Sequence, residues 1–201
     1  MFKKYRPYII FIGLICLGLV AIFLISSGYY PIISVNSRLL SARKFWKDYQ
    51  ANAVYYQNLI SIYGSAAALT NSSDTISTAE DLKVSVLNKI IENSLISEQV
   101  KKELGADAEE IIQNKIKNLE NDEVLKIGAQ KMYGLSYNDF KDEILIPKAE
   151  QEILAGRLFL KGGKLEDWLL SQKKSSRIKL FSSEFYWDGF SVKQAATPVS
   201  N

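Results

Sequence analysis

No Asp, Glu, Lys or Arg occurs from Pro7 through Ser37, and inside that window Tyr8 to Ser26 reads YIIFIGLICLGLVAIFLIS. A helix of that length at ~1.5 Å per residue spans about 28 Å, close to the ~30 Å hydrocarbon core of a bilayer. A buried helix of a soluble domain would carry some polar positions, and this one has only Gly and Ser. The segment is therefore expected to be a transmembrane anchor, with Tyr8 and Ser26 at its ends. Tyr29 and Tyr30 follow it as interfacial anchors, ring at the lipid edge and hydroxyl in water. Lys3, Lys4 and Arg6 precede the span and the next basic residue is Arg38. The positive-inside rule thus places residues 1–28 as a cytoplasmic tip plus anchor, with everything after them extracytoplasmic. The rival is a cleaved signal peptide, which shares the basic start; the length of the span and the absence of an A-x-A site after it favour the anchor. Cys16 lies mid-span after Gly-Leu-Ile, which does not suit a lipoprotein.

Removing the tip neutralises the chain. Its net charge is +3, three of its 25 basic residues lie in the tip, and 22 remain against 22 acidic ones. Such a balance leaves no electrostatic footprint for nucleic acid. The cluster Lys173, Lys174, Arg177 and Lys179 is a helix C-terminus favoured by the dipole, with lipid head groups as the lesser alternative. The chain contains no histidine and its single cysteine is in the span. That excludes disulfides and any His-based metal site or general base.

The rest reads as one mainly α domain over 29–182, followed by a tail at 183–201 whose end is expected to be disordered. Pro31 to Val35 is a short β-like run closed by the turn residues Asn36-Ser37. Phe45, Tyr49, Ala53, Tyr56, Ile60 and Tyr63 then recur every three or four residues, one stripe of an amphipathic helix. Asn71 to Ser77 is a polar loop with a sequon at Asn71. Ser77-Thr-Ala-Glu80 is a capping box opening a long helix to Leu104, apolar on two faces and so expected at the centre. Gly105 suits its C-cap, and Asp107 can cap the next helix. A further helix covers about Asp122 to Tyr133 and ends at Gly134. Ser136 to Asp139 is a second capping box, and Pro147 predicts a break or kink near Ile146. Lys161-Gly-Gly-Lys164 is a hinge, Leu165 to Lys174 a helix, and Arg177 to Phe181 a strand.

Chemistry is sparse. Gly163-Lys164 lacks the earlier Gly and following Ser or Thr of a phosphate loop. The carboxylates Asp107, Glu109, Glu110 and Glu120, Asp122, Glu123 sit at helix starts, where the dipole favours them as solvated caps. A Ser/Lys hydrolase would need a Ser-Met-x-Pro pattern, and neither Met1 nor Met132 stands in one. No catalytic, metal or cofactor residue is assigned. Aromatic and Met side chains remain: Tyr55, lying off the stripe, with Met132, Tyr133 and Tyr137 at a helix junction, is the candidate peptide-binding set.

Four segments together resemble the SurA/PrsA-type chaperone-foldases. Ile32-Ile-Ser-Val-Asn-Ser37 with Ser41-Ala-Arg-Lys-Phe45 is similar to the family's opening strand and helix start. Leu87-Asn-Lys-Ile-Ile-Glu-Asn-Ser-Leu95 resembles its Leu-x-x-Leu-Ile-x-x-x-Leu helix. Tyr133-Gly-Leu-Ser136 through Phe140 resembles its Gly-Leu-Ser-x-x-x-Phe start, and Trp168 through Lys179 its closing helix and strand. The resemblance implies a SurA N-terminal-like helical bundle, with a small two-stranded sheet joining the chain ends. It implies an ATP-independent chaperone that holds unfolded exported polypeptides near the membrane. Ser37 departs from the family's Gly. The family's parvulin domain is replaced by Gly162-Gly163, so prolyl-isomerase activity is expected to be absent. The alternative is a non-catalytic, membrane-tethered scaffold docking one envelope partner.

Overall fold

The computed structural model describes residues 6–63, 78–119 and 122–195, without the side chains at 6, 7, 9 and 63. The sequon at Asn71, the acid Glu120 and the end of the expected tail lie outside the described residues. The chain is mainly helical, with a small sheet. Its first helix, α1 (Arg6–Ser26), exposes apolar side chains all along its length, Phe11, Leu17 and Ile25 among them. Among the described residues, no helix is long and apolar enough to cross a membrane, and the expected anchor at Tyr8–Ser26 stays a reading of the sequence.

α1 ends in a Schellman turn. Gly28, at φ 70°, donates to the Ile25 carbonyl, and Tyr29 N–H reaches back to that of Leu24, which satisfies carbonyls the helix leaves free. The Gly28 carbonyl then accepts from Arg43 N–H at 2.7 Å, joining this turn to the second helix.

Two strands follow, β1 (Pro31–Val35) and β2 (Arg38–Ser41), paired antiparallel from Val35↔Arg38 outward. The closing strand β3 (Ile178–Leu180) pairs antiparallel with the other edge of β1, Ile33 opposite Leu180 and Val35 opposite Ile178. The expected joining of the chain ends is present, and β2 makes it a three-stranded sheet in the order β2-β1-β3. Asn36 alone takes positive φ (54°) in the turn, which asparagine tolerates. Ser37 does not need it, so the departure from Gly leaves the turn intact.

Among the described residues the helices α2 (Ala42–Tyr63), α3 (Ala79–Leu104), α4 (Ala108–Ile116), α5 (Glu123–Tyr133) and, after the short α6 (Tyr137–Phe140), α7 (Ile146–Leu160) follow. α8 (Leu165–Ser175) leads into β3. α3 is central. Its N-terminal half, from Leu82 to Leu95, packs with β1, Phe45 and the chain's last strands, whereas Ile96 and Val100 belong to a second cluster with α4 and α7. Trp168 of α8 touches both clusters.

Local chemistry departs from expectation at four points. The box capping α3 is shifted by one residue: Thr78 Oγ1 accepts from Asp81 N–H, and Asp81 Oδ2 accepts from Thr78 N–H, both at 3.0 Å. Gly105 has φ 62° but ψ −131°, outside the left-handed helical well. Asp107 makes no side-chain cap. Pro147 breaks nothing: a π-helical turn at Lys141–Leu145 precedes it, in which Ile146 N–H donates to the Lys141 carbonyl. The added residue seats the proline in the first turn of α7, where no donor is missed.

The segment read as a tail folds. β4 (Phe185–Trp187) and β5 (Val192–Gln194) form an antiparallel hairpin, with Phe185 and Val192 buried in the first cluster. The Lys161–Lys164 segment is a second Schellman turn rather than a loose hinge. Gly162 (φ 75°) donates to the Phe159 carbonyl and Gly163 to that of Leu158.

Candidate functional site

The apolar stripe of α2 runs inward for its first turns and outward at its end. Phe45 is buried, Tyr49, Ala53 and Tyr56 are half-buried, and Ile60 is exposed. Trp46 stands beside this stripe, edge-on to Phe45 (ring centroids 5.0 Å) and to Tyr49 (5.6 Å). Its position is braced on one side, while 45% of its surface remains open.

That open side faces a cleft of about 220 Å³ where five elements meet. Tyr30 and Ile32 enter from β1 and the residues before it, Phe45 and Trp46 from α2, and Lys83 and Leu87 from α3. Leu180, Phe181 and Phe185 close it from the C-terminal end of the chain. Phe181 is held by its own N–H on the Ile32 carbonyl at 2.8 Å, with Lys179 Nζ 5.3 Å from its ring centroid. Polar groups are confined to the rim, where Lys83 and Glu184 lie 4.0 Å apart. An apolar floor with a polar rim suits a bulky apolar side chain, since burial of one contributes ~1.5–3 kcal/mol.

Of the expected peptide-binding residues, Tyr55 and Tyr133 are in contact, and none of the four lines this cleft. Tyr55 stacks on Tyr133 (4.8 Å, 6° between planes), and Tyr133 leans on buried Phe140 (5.3 Å). The Tyr137 hydroxyl donates to the Leu119 carbonyl, and Asn58 Nδ2 donates to the carbonyls of Lys131 and Met132. The Asn58 bonds tie α2 to the end of α5. Burial pushes the Tyr133 hydroxyl above its ordinary pKa, as a ring used for packing should show. Of the expected anchor residues, Tyr29 accepts a hydrogen bond from Arg43, whose guanidinium lies over its ring. Tyr30 lines the cleft. Ser26 Oγ returns to the Phe23 carbonyl, and Tyr8 is exposed on α1.

A second cleft, of about 190 Å³, lies beside the π-helical turn and mixes charged side chains, Arg38, Lys44, Asp142 and Glu150 among them, with apolar ones such as Ile90 and Ile112. Glu150 is buried and accepts from Ser97 Oγ at 2.9 Å; burial raises its pKa, and that bond opposes the rise. Nearby, Asp48 is buried beside Lys44, which also pairs with Glu143, and Lys47 pairs with Asp139. The helix-start acids remain dispersed: Asp122 Oδ1 accepts from Val124 and Leu125 N–H. Among the described residues, no group of three or more His, Cys, Asp or Glu side chains converges as a metal site would require.

Trp46 and Phe181 carry the cleft, and sequence reasoning did not single them out as a pair. Trp46 had a signal, an indole directly beside an apolar stripe; Phe181 had only its place at the end of an alternating strand. No protein-family model matches the chain, and neither a curated protein nor a solved structure matches it.

Proposed function

We propose that the chain is a membrane-anchored, extracytoplasmic holding chaperone that binds apolar segments of unfolded exported polypeptides without ATP and without catalysing prolyl isomerisation. The observation that carries this reading is the open cleft floored by Phe45, Leu87 and Phe185 and edged by half-exposed Trp46 and Phe181. It accepts apolar side chains without asking for a particular sequence, and the site needs no cofactor to do so. The uncharged run Tyr8–Ser26 supplies the anchor; as a helix at ~1.5 Å per residue it is about 28 Å long, close to the thickness of a bilayer core. The basic tip sets the N-terminus in the cytoplasm. The resemblance of the opening strand, central helix and closing strand to SurA/PrsA-type proteins supports the same reading.

The full chain in lipid nanodiscs should suppress light scattering by a chemically unfolded client at equimolar ratio. The double variant W46S/F181S, with an unchanged circular dichroism spectrum, should lose most of that effect. No suppression by the native chain at tenfold excess sinks the holding role. A reporter fused after Asn201 and found in the cytosol sinks the topology.

One observation favours a second reading, a scaffold for a single envelope partner. Phe159 and Leu160 project from the end of α7 with 78% and 85% of their surfaces exposed, beside the rigid turn at Gly162. Such a fixed apolar knob suits one complementary socket. Recovery of one stoichiometric partner, lost on F159S/L160S, with no effect on unfolded clients would select that reading.

A further inference from the structure

The joint between α1 and the domain is a short, bonded turn. Gly28 lies two residues beyond α1, its carbonyl accepts from Arg43 N–H at 2.7 Å, and Ala42 N–H donates to the Tyr30 carbonyl at 2.9 Å. A Cβ on Gly28 would lie 3.2 Å from Arg43 N, so the two segments are in close contact. The domain is thus fixed to its helix.

This joint places particular side chains next to the end of α1. Trp46 is one helical turn beyond Arg43, hence ~5 Å further along α2. Phe181 sits opposite Ile32, two residues past Tyr30, so ~7 Å along β1. The interfacial layer of a bilayer is ~5–8 Å deep on each side. Tyr29, Tyr30, Trp46 and Phe181 are all between 43% and 48% exposed, and two of the rings carry a cation: Arg43 over Tyr29, Lys179 over Phe181. Half-exposed aromatic rings flanked by Arg and Lys are the composition that settles at the lipid–water boundary, ring towards the chains and cation towards phosphate.

We infer that the face bearing Tyr29, Tyr30, Arg43, Trp46 and Phe181 is seated in the head-group layer of the outer leaflet, so that the cleft opens at the lipid surface. The inference rests on α1 being the anchor. It makes phospholipid the standing occupant of the cleft mouth, and it restricts clients to segments at or emerging from the bilayer.

The test uses the full chain with W168F and W187F, leaving Trp46 as the only indole, in vesicles containing phosphatidylcholine brominated near the head group. Trp46 emission should be quenched by about half, with a blue shift, whereas a chain retaining only Trp168 keeps most of its emission. If the paired substitutions unfold the domain, W46F in the native chain gives the same contrast, removing most of the lipid-quenchable fraction. A chain that floats with the vesicles while Trp46 stays unquenched overturns the seated face and leaves the anchor standing. A Trp46 shift seen only on adding an unfolded client overturns it too, assigning the face to clients alone. A chain that does not float removes anchor and seat together.

Discussion

Asp48 sits on α2 with 7% of its surface exposed, and burial lifts its carboxyl to about 6 from 3.8, an effect that Lys44 partly opposes. The folded state therefore holds this proton more tightly than the unfolded chain does. The resulting stabilisation is complete below about pH 4 and is lost as pH rises through about 6. Each tenfold gain in proton affinity corresponds to ~1.4 kcal/mol, so the loss is about 1–3 kcal/mol. Urea titrations of the full chain in micelles should show Asp48→Asn abolishing that fall between pH 4 and 6; an unchanged slope refutes the assignment. Asn36 makes the complementary case. Its positive φ, its bond to Glu98 Oε2 (2.7 Å) and its Oδ1 accepting from Arg177 N–H (3.2 Å) join turn, central helix and closing strand. Asn36→Ala should cost about 2–3 kcal/mol in thermal unfolding, from strain plus two lost bonds. Ser37→Gly should change little. The turn was legible from the residue pair, but the two partners of Asn36 were not, because each lies more than sixty positions away.

Elements with a long uniform period could be read directly. α2 and α3 bury the stripes their spacing assigns, at least until α2 turns outward at Ile60. Boundaries were harder, since neighbouring hydroxyls compete for the same donor: Thr78 rather than Ser77 begins α3. The π-helical turn before Pro147 left no trace in the pattern, because one added residue displaces the apolar face by only about 100°. The two Schellman turns allow a controlled comparison. A Cβ added at Gly162 would meet open space, whereas one at Gly28 would press onto Arg43 N. Gly162→Ala should therefore cost only its positive φ, about 1 kcal/mol. Gly28→Ala should cost more and should strip hydrogen-exchange protection from the Arg43 amide, which donates to the Gly28 carbonyl. Equal costs, with Arg43 still protected, would mean that the joint is loose.

At the scale of the molecule, what the sequence concealed is distant in the chain. The cleft draws on segments from Tyr30 to Phe185, so no local window contains it. The C-terminal hairpin was hidden differently: its strands are three residues each, too short for a period, although Asp188-Gly189 was a usable turn signal. Asp188 Oδ1 accepts from both Phe190 and Ser191 N–H, and Gly189 adopts φ 99°. The hairpin also completes the fold. Val192 is fully buried and its N–H donates to Asn88 Oδ1 on α3 at 2.8 Å, while Phe185 both fills the first cluster and floors the cleft. Two such side chains contribute about 3–6 kcal/mol, a large part of the ~5–15 kcal/mol that holds a typical domain. A chain ending at Phe181 should then lose cooperative unfolding and client binding together, whereas one ending at Ala195 should retain both. Asn88→Ala in the full chain should lower stability by about 1 kcal/mol. A chain ending at Phe181 that melts like the full protein would detach the hairpin from the core, and Phe185 from the cleft.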